Sequence, residues 1–435
     1  MKPRSVRSRL FSALGLVAEN FSDYVTNPEK DFSRMRCISF RDVLAFPLSQ
    51  GPLSSSKELP CFYSSGHVPS ASAFRQQREK VSFAAFQQVF RSFTDSCLRS
   101  SPSSALFRSY HLLAVDGSRI VSAPNPFDSD SAVSSQNQYL APTVSQNEHH
   151  LNALFSLSYG VYCDAVIQSY RNMNECRALC DMISRSPISK AILLADRNYE
   201  SYNVFAHLQE KGWRYLIRVK DSSRGIASGL VLPDLDEFVL PLHLSLSRKK
   251  THDAKALYLQ RNAYTPLSPR SPFDFPFDPN GFYTLHFSVV RVKISDHFYE
   301  TFITNLDLSL NELKLLYAMR WGIETSFRHL KYTVGLLNFH SKKEKLLLQE
   351  IFAALILYNF SRFVASGVTI PKKKRKYDYI INFSRAVNLC RKLLLKQETS
   401  PRIECLLLRD LTPIRTNRMF PRKLHPVGFV SFNYR

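Results

Sequence analysis

Glycine occupies only 13 of the 435 positions in this chain, and tryptophan only two. With so little glycine there is no phosphate-cradling loop. The pattern G-x-x-x-x-G-K-[ST] occurs nowhere, which argues against a P-loop and against nucleotide use. No uninterrupted apolar run reaches the roughly 18 residues that a membrane span needs, so no membrane partner is expected. Eight cysteines are scattered, and Cys176-x3-Cys180 lacks a second Cys or His pair at zinc-finger spacing. Reduced thiols in a cytoplasm are therefore expected. The apolar patch Leu10–Ala18 follows basic residues but has no small-x-small cleavage site, so it is not read as a signal peptide. Acidic residues are the remaining scarcity. Only 36 Asp and Glu face 58 Lys and Arg, and the formal charge of +22 is the footprint of a polyanionic partner.

That excess is uneven. From Lys372 to Arg435 there are sixteen Lys and Arg against four Asp and Glu, a surplus of +12. The run 371–376 (PKKKRK) mimics a nuclear import signal, but a short basic run is more often a phosphate-contacting arm.

The densest chemistry lies in YAMRWGIETSFRHLK, residues 317–331. At about 100° per residue, Tyr317, Arg320, Glu324 and Lys331 fall at roughly 0°, 300°, 340° and 320° around one helix. Two cations, a phenol and a carboxylate thus share one stripe. Leu316, Ile323, Phe327, Leu330 and Val334 cluster beside it at roughly 220–280° and face a core. Ser309-x-x-Glu312 is a capping box that opens this helix. Two short apolar runs, LLAVDGS (112–118) and AILLADRNYE (191–200), read as buried strands and end in Asp116 and Asp196. Strand carboxyl ends are where open α/β sheets place ligands, although an aspartate there also caps turns. Joined to Glu324, the two aspartates make a three-carboxylate set suited to hard divalent cations.

With these residues in view, the chain resembles the DDE cut-and-paste transposases of bacterial insertion sequences, specifically the insertion-sequence-four family. The Tyr-x2-Arg-x3-Glu-x6-Lys signature is met at all four positions. DRNYESYNVFAHLQEKGWRYLIRVKD is similar to the family's second-aspartate block, departing at Asn198 where Gly is common; Asn tolerates positive φ. EHHLNALFSLSYGVYCDAVIQ (148–168) and RKLHPVGFVSFNYR (422–435) resemble the same family, so the likeness runs from about Phe32 to the C-terminus. It implies an enzyme that cleaves element ends and transfers strands, with Asp116, Asp196 and Glu324 as catalytic metal ligands. Two Mg2+ ions are expected, replaceable by Mn2+. The partners implied are double-stranded DNA, at element ends and target, and a second copy in a synaptic homodimer. A cytoplasmic, nucleoid-associated location follows from the same likeness. Arg320 and Lys331 have the chemistry to hold phosphates; Tyr317 could hydrogen-bond a phosphate or stack on a displaced base, and Trp321 could share that role. His149-His150 is read as packing or hydrogen bonding near the site. A DNA-binding protein with a decayed catalytic core and an RNase H-like nuclease that cuts without joining remain as alternatives.

The expected architecture is an α/β RNase H-like core, a mixed sheet flanked by helices. Residues 1–100 are expected to be helical, with helices at Ser39–Ser49, Ser70–Val81 and Ser82–Leu98. SASAFRQQREKVSFAAFQQVF resembles the family's N-terminal DNA-binding region, which makes Arg75, Arg78 and Lys80 candidate DNA contacts; an ordinary amphipathic helix pair is the equal alternative. Residues 101–220 carry strand Leu112–Asp116, the hairpin Leu151–Tyr159 and Val161–Gln168, and alternating helices and strands as far as Val219. Because Glu324 lies far beyond Asp196, residues 221–305 must be an insertion. Its composition favours strands at Phe238–Leu246, Ala256–Arg261, Phe282–Val292 and His297–Thr304. Residues 306–370 complete the core and 371–435 form a basic C-terminal region.

Overall fold

A computed structural model describes residues 1–34, 36–63, 66–135, 144–220, 225–249, 262–296, 298–371 and 376–415. Five helices come first: α1 (Pro3–Glu19), α2 (Phe40–Ser49), α3 (Ser55–Phe62), α4 (Ala71–Lys80) and α5 (Phe83–Arg99). Serine side chains cap three of them, Ser39 on α2, Ser70 on α4 and Ser82 on α5, each accepting a hydrogen bond from a first-turn N–H. Strands β1 (His111–Ser122), β2 (Ala132–Ser135), β3 (Val144–Ser156) and β4 (Val161–Ser169) follow, then α6 (Glu175–Arg185), β5 (Ala191–Ala195), α7 (Tyr202–Glu210) and β6 (Arg214–Arg218). Strand β1 runs antiparallel to β3, which pairs antiparallel with β4, while β5 and β6 run parallel to β1. This is the RNase H-like plan.

The segment expected as an insertion supplies β7 (Phe238–Ser247), β8 (Tyr264–Pro266), β9 (Tyr283–Ser295) and β10 (Phe298–Thr304). They extend the core sheet. Strand β10 pairs antiparallel with β6, aligning Phe302 with Arg218, and β9 and β7 continue outwards to complete ten strands. The physical gain is that β6 is not left as an open edge with unpaired backbone groups. The strand expected at Ala256–Arg261 lies outside the described residues.

Two helical layers cover the sheet. Alternate residues of the strands, among them Leu113, Val115, Leu193, Ala195 and Ile217, pack with α6 and α7. On the opposite face lie α8 (Leu310–Ala318), α9 (Gly322–Arg328) and α10 (Glu344–Ser366), joined by a single 3-10 turn and a π-helical turn. Helix α10 is long and apolar enough to cross a membrane by length and composition, but 83% of that window is buried inside the fold. It is the spine of the main core. Val6, Leu10 and Leu14 of α1, Phe86 and Phe90 of α5, and Phe352, Phe360 and Phe363 of α10 all belong to one apolar cluster. Residues 1–100 therefore share a core with the C-terminal half of the chain. The same holds for α11 (Phe383–Leu394), which buries Val387, Leu389 and Cys390 in that cluster, and for Ile403 and Leu407 of α12 (Ser400–Arg409).

Burial corrects one expected DNA contact. Arg78 is only 4% exposed and donates to Glu350 Oε1 at 3.3 Å and to Gln349 Oε1 at 3.2 Å, both on α10. It joins α4 to the spine and does not reach solvent. Burial alone would raise the Glu350 carboxyl, but the hydrogen bond from His340 and the charge of Arg78 hold it below the usual range. Arg75 stays exposed beside Glu79, and Lys80 pairs with Asp31 at 3.3 Å while keeping partial exposure. Arg78→Ala should therefore destabilise the protein by about 3 kcal/mol, since it strands a buried carboxylate. Arg75→Ala should stay within about 0.5 kcal/mol. Urea denaturation of both variants checks this, and equal losses would refute the structural role of Arg78.

Candidate active site

Strand register brings the two aspartates together. In the parallel β1–β5 pair, Leu112 aligns with Ile192 and Ala114 with Leu194. Carrying that register two residues onward sets Asp116 beside Asp196, on strands about 4.8 Å apart and with side chains on one face. That face is the one covered by α8 and α9. Asp116 Oδ1 accepts the N–H of Gly117 at 2.8 Å. Asp196 caps a 3-10 turn, Arg197–Tyr199, and its Oδ1 accepts the Asn198 N–H at 2.9 Å. The backbone at Asn198 does not adopt positive φ, so the departure from Gly there asks nothing unusual of the chain.

Glu324 arrives from α9. The capping box expected at Ser309 and Glu312 is present and opens α8. Beyond it the rod is less regular than a single helix: Met319–Trp321 is 3-10, and His329–Val334 is π-helical before Gly335, at φ +91°, ends it. The uniform 100° count therefore fails at both ends of the signature, yet the functional groups still converge. Arg320 places Nη2 2.9 Å from Glu324 Oε1 and Nη1 3.8 Å from Asp116 Oδ2. One guanidinium thus bridges a strand carboxylate and the helical one. Burial raises the Asp116 carboxyl to about 6; Gly117 and Arg320 work against the rise, and the charges of Asp196 and Glu324 add to it. Those couplings put all three carboxylates and Arg320 in one electrostatic unit.

The rest of the stripe divides. The Tyr317 ring packs edge-on against Phe302, with centroids 4.7 Å apart, and its hydroxyl is buried without a hydrogen-bond partner among the described residues. The ring is thus fixed between Phe302 and the guanidinium of Arg320, which lies 5.7 Å from its centroid. Trp321 is 55% exposed. Lys331 is partly buried, and burial, with the nearby charge of Arg119, lowers its pKa. Arg119 lies three positions past Asp116 on β1, so Lys331 and Asp116 border the same stretch of that strand. Arg328 points to solvent.

His150 hydrogen-bonds near the site, as expected of the histidine pair, whereas its partner Glu175 and the close approach of Gly117 were not anticipated. His150 Nε2 lies 2.8 Å from Glu175 Oε1, and this pair sits against Gly117. A Cβ at Gly117 would meet His150 Nε2 at 2.1 Å, so only glycine fits beside Asp116. Concave surfaces on either side of the Asp196 turn are lined by Arg119, His150 and Lys220, and by Arg197, Arg218 and Lys220. The sequence signal was the strand end RVK, where Arg218 and Lys220 alternate onto one face.

Oxygen donors from the middle of one strand, the end of its parallel neighbour and a facing helix, on an RNase H-like sheet, define the DDE class of proteins. Residues 109–360 match the family described as a transposase DDE domain, and the chain belongs to that family. One relative is the transposase InsG for insertion sequence element IS4 of Escherichia coli (strain K12), 31% identical over 122 residues. That alignment takes in 26% of this chain and 27% of the relative, so it spans about a quarter of that protein. Among solved structures, a piggyBac transposase synaptic complex with hairpin DNA has a TM-score of 0.46 at 12% identity, covering 94% of this chain and 87% of that one.

The raised Asp116 carboxyl has a stability consequence. Its folded pKa, about 6, lies above the ordinary aspartate value of 3.8, so the native state takes up a proton that the unfolded chain lacks between those values. Ionised Asp116 thus costs stability above pH 6, and the cost vanishes below pH 4. Asp116→Asn should stabilise the metal-free protein by up to about 3 kcal/mol at pH 8 and by nothing at pH 4. Urea melts in EDTA at the two pH values test this; a variant less stable at pH 8 would contradict it.

Proposed function

We propose that this protein is the transposase of a DNA insertion sequence, cutting the element's ends and joining them to target DNA. The observation that supports it most is Arg320 held between Asp116 and Glu324, with Asp196 two residues past the last paired position of β5 beside β1. The donor set is all carboxylate oxygen, and burial, with smaller contributions from Asp196 and Glu324, raises the Asp116 carboxyl, a cost that a bound cation would offset. Asp116, Asp196 and Glu324 would hold divalent cations, two Mg2+ with Mn2+ as a substitute. Bound there, such ions supply charge neutralisation at the scissile phosphate and an activated oxygen nucleophile.

The chain's own residues do the rest. Arg320 offers a planar fork for a phosphate flanking the cut, and its two carboxylate contacts preset its orientation. Lys331 and Arg119 extend the positive border, and exposed Trp321 can stack on an unpaired base. A freed DNA 3′-hydroxyl is then the attacking group in the joining step. Synapsis of two ends by two copies of the chain, in the cytoplasm, completes the proposal.

Asp116→Ala, Asp196→Ala or Glu324→Ala should abolish Mg2+-dependent nicking of labelled element ends while end binding persists, as fluorescence anisotropy reports. Nicking without transfer to a second duplex would identify a nuclease, and binding without nicking a decayed enzyme.

Arg320→Ala and Lys331→Ala should each weaken DNA binding and slow cleavage by about 10- to 150-fold, the worth of a charge-assisted hydrogen bond. Arg320→Lys should remain impaired, because an ammonium cannot form the fork. Solvent-facing Arg328→Ala is the control, and a loss there equal to that of folded Arg320→Ala would remove the phosphate clamp from the proposal.

A further inference from the structure

A second cluster of donor side chains lies away from the three catalytic carboxylates. Asp128 stands in the loop between β1 and β2, His149 on β3, and Glu344 in the first turn of α10. Their nearest ligand atoms all lie within 4.8 Å of one another. His149 Nε2 is 3.7 Å from Asp128 Oδ2 and 3.8 Å from Glu344 Oε1. These separations are too long for hydrogen bonds. They are close to the span across a shared ion: two donors about 2.1 Å from a tetrahedral centre lie about 3.4 Å apart.

His149 is the independent sign that something belongs here. It is 1% exposed, and neither ring nitrogen has a hydrogen-bond partner among the described residues. A buried imidazole usually satisfies at least one nitrogen, and leaving both unmade costs free energy. The neighbouring charges are also unbalanced. Among the described residues, neither Asp128 nor Glu344 has a Lys or Arg within ion-pair distance. Burial lowers the His149 pKa, which keeps the ring neutral and its lone pair available. Burial and the charges of Asp128 and Asp130 raise the Glu344 carboxyl, so the negative charges crowd one another. The loop side is preset: the N–H of Ser131 donates to Asp128 Oδ1 at 3.2 Å, its hydroxyl donates to Oδ2, and Asn147 Nδ2 donates to the Asp128 carbonyl at 2.8 Å.

We propose that Asp128, His149 and Glu344 form a structural binding site for one first-row divalent cation of the Zn2+ or Mn2+ type, separate from the catalytic carboxylates. An imidazole nitrogen with two carboxylates suits these ions better than Mg2+ or Ca2+, which favour all-oxygen shells. The ion ties the β1–β2 loop and β3 to the start of α10, the helix on which the N-terminal helices and α11 pack. Half-exposed Glu344 leaves that corner open for entry and for a water ligand.

The test uses the full-length protein with its catalytic carboxylates neutralised (Asp116→Asn, Asp196→Asn and Glu324→Gln), so that ions held by the catalytic residues do not count. Mn2+ is the first probe, because the eight thiols bind it poorly; Zn2+ is the second. Isothermal titration should show one Mn2+ per chain and a rise in melting temperature on loading. Glu344→Gln and Asp128→Asn, added singly, should weaken that binding about tenfold or more and erase the rise. Glu344→Gln changes a half-exposed side chain, and its metal-free melting curve reports directly that it folds. Absence of Mn2+ and Zn2+ binding in the neutralised protein would overturn the proposal. So would binding that both added substitutions leave unchanged.

Discussion

Three carboxylates gathered between two central strands of the sheet and the helix above them repel one another, and the guanidinium of Arg320 is what the fold sets among them. Its Nη atoms reach Glu324 on its own rod and Asp116 on β1. Much else follows from holding that arrangement. Strands β1 and β5 must be parallel neighbours in one register, which requires the helical crossover through α6. The rod that carries Arg320 and Glu324 must then be fixed against the opposite face of the sheet. Phe302 on β10 holds it at Tyr317, and the main core holds it at Ile323, Phe327 and Leu330.

The long segment between Asp196 and Glu324 is part of the same solution. By adding β7, β9 and β10 beyond β6, it buries an edge and supplies Phe302 and Val290, on which α8 packs. The helix that delivers Glu324 therefore rests partly on the segment that separates it from the aspartates in sequence. Likewise, α1 and α5 bury their apolar faces on α10, so the N-terminal hundred residues are part of the core that supports the candidate site.

The irregular turns within the signature rod have a physical consequence. A 3-10 turn is tighter than an α-helical one and a π turn wider, so side chains around them are re-aimed without breaking the rod. Arg320 lies in the first and Lys331 in the second. Both are the cations assigned here to phosphate, and π turns recur at functional sites in other proteins.

Several features were legible in the chain by itself because each depends on local chemistry. The Asp196 strand end, the Ser309–Glu312 box and the Tyr-Arg-Glu-Lys spacing are of this kind, set by short-range periodicity and capping. The strand expected to end at Asp116 instead runs on to Ser122, because β3 pairs with it along that whole length. Only tertiary structure could decide what depends on distant partners. Arg78 reads as a DNA contact on an amphipathic helix until Glu350, 272 positions away, claims it. Tyr317 reads as a free aromatic until Phe302 covers its ring. Gly117 gains its necessity from His150, and His149 its unsatisfied nitrogens from a corner built by Asp128 and Glu344. Local propensity acts over a few residues, whereas desolvation and charge pairing depend on which segments meet, and in this chain those meetings span hundreds of positions.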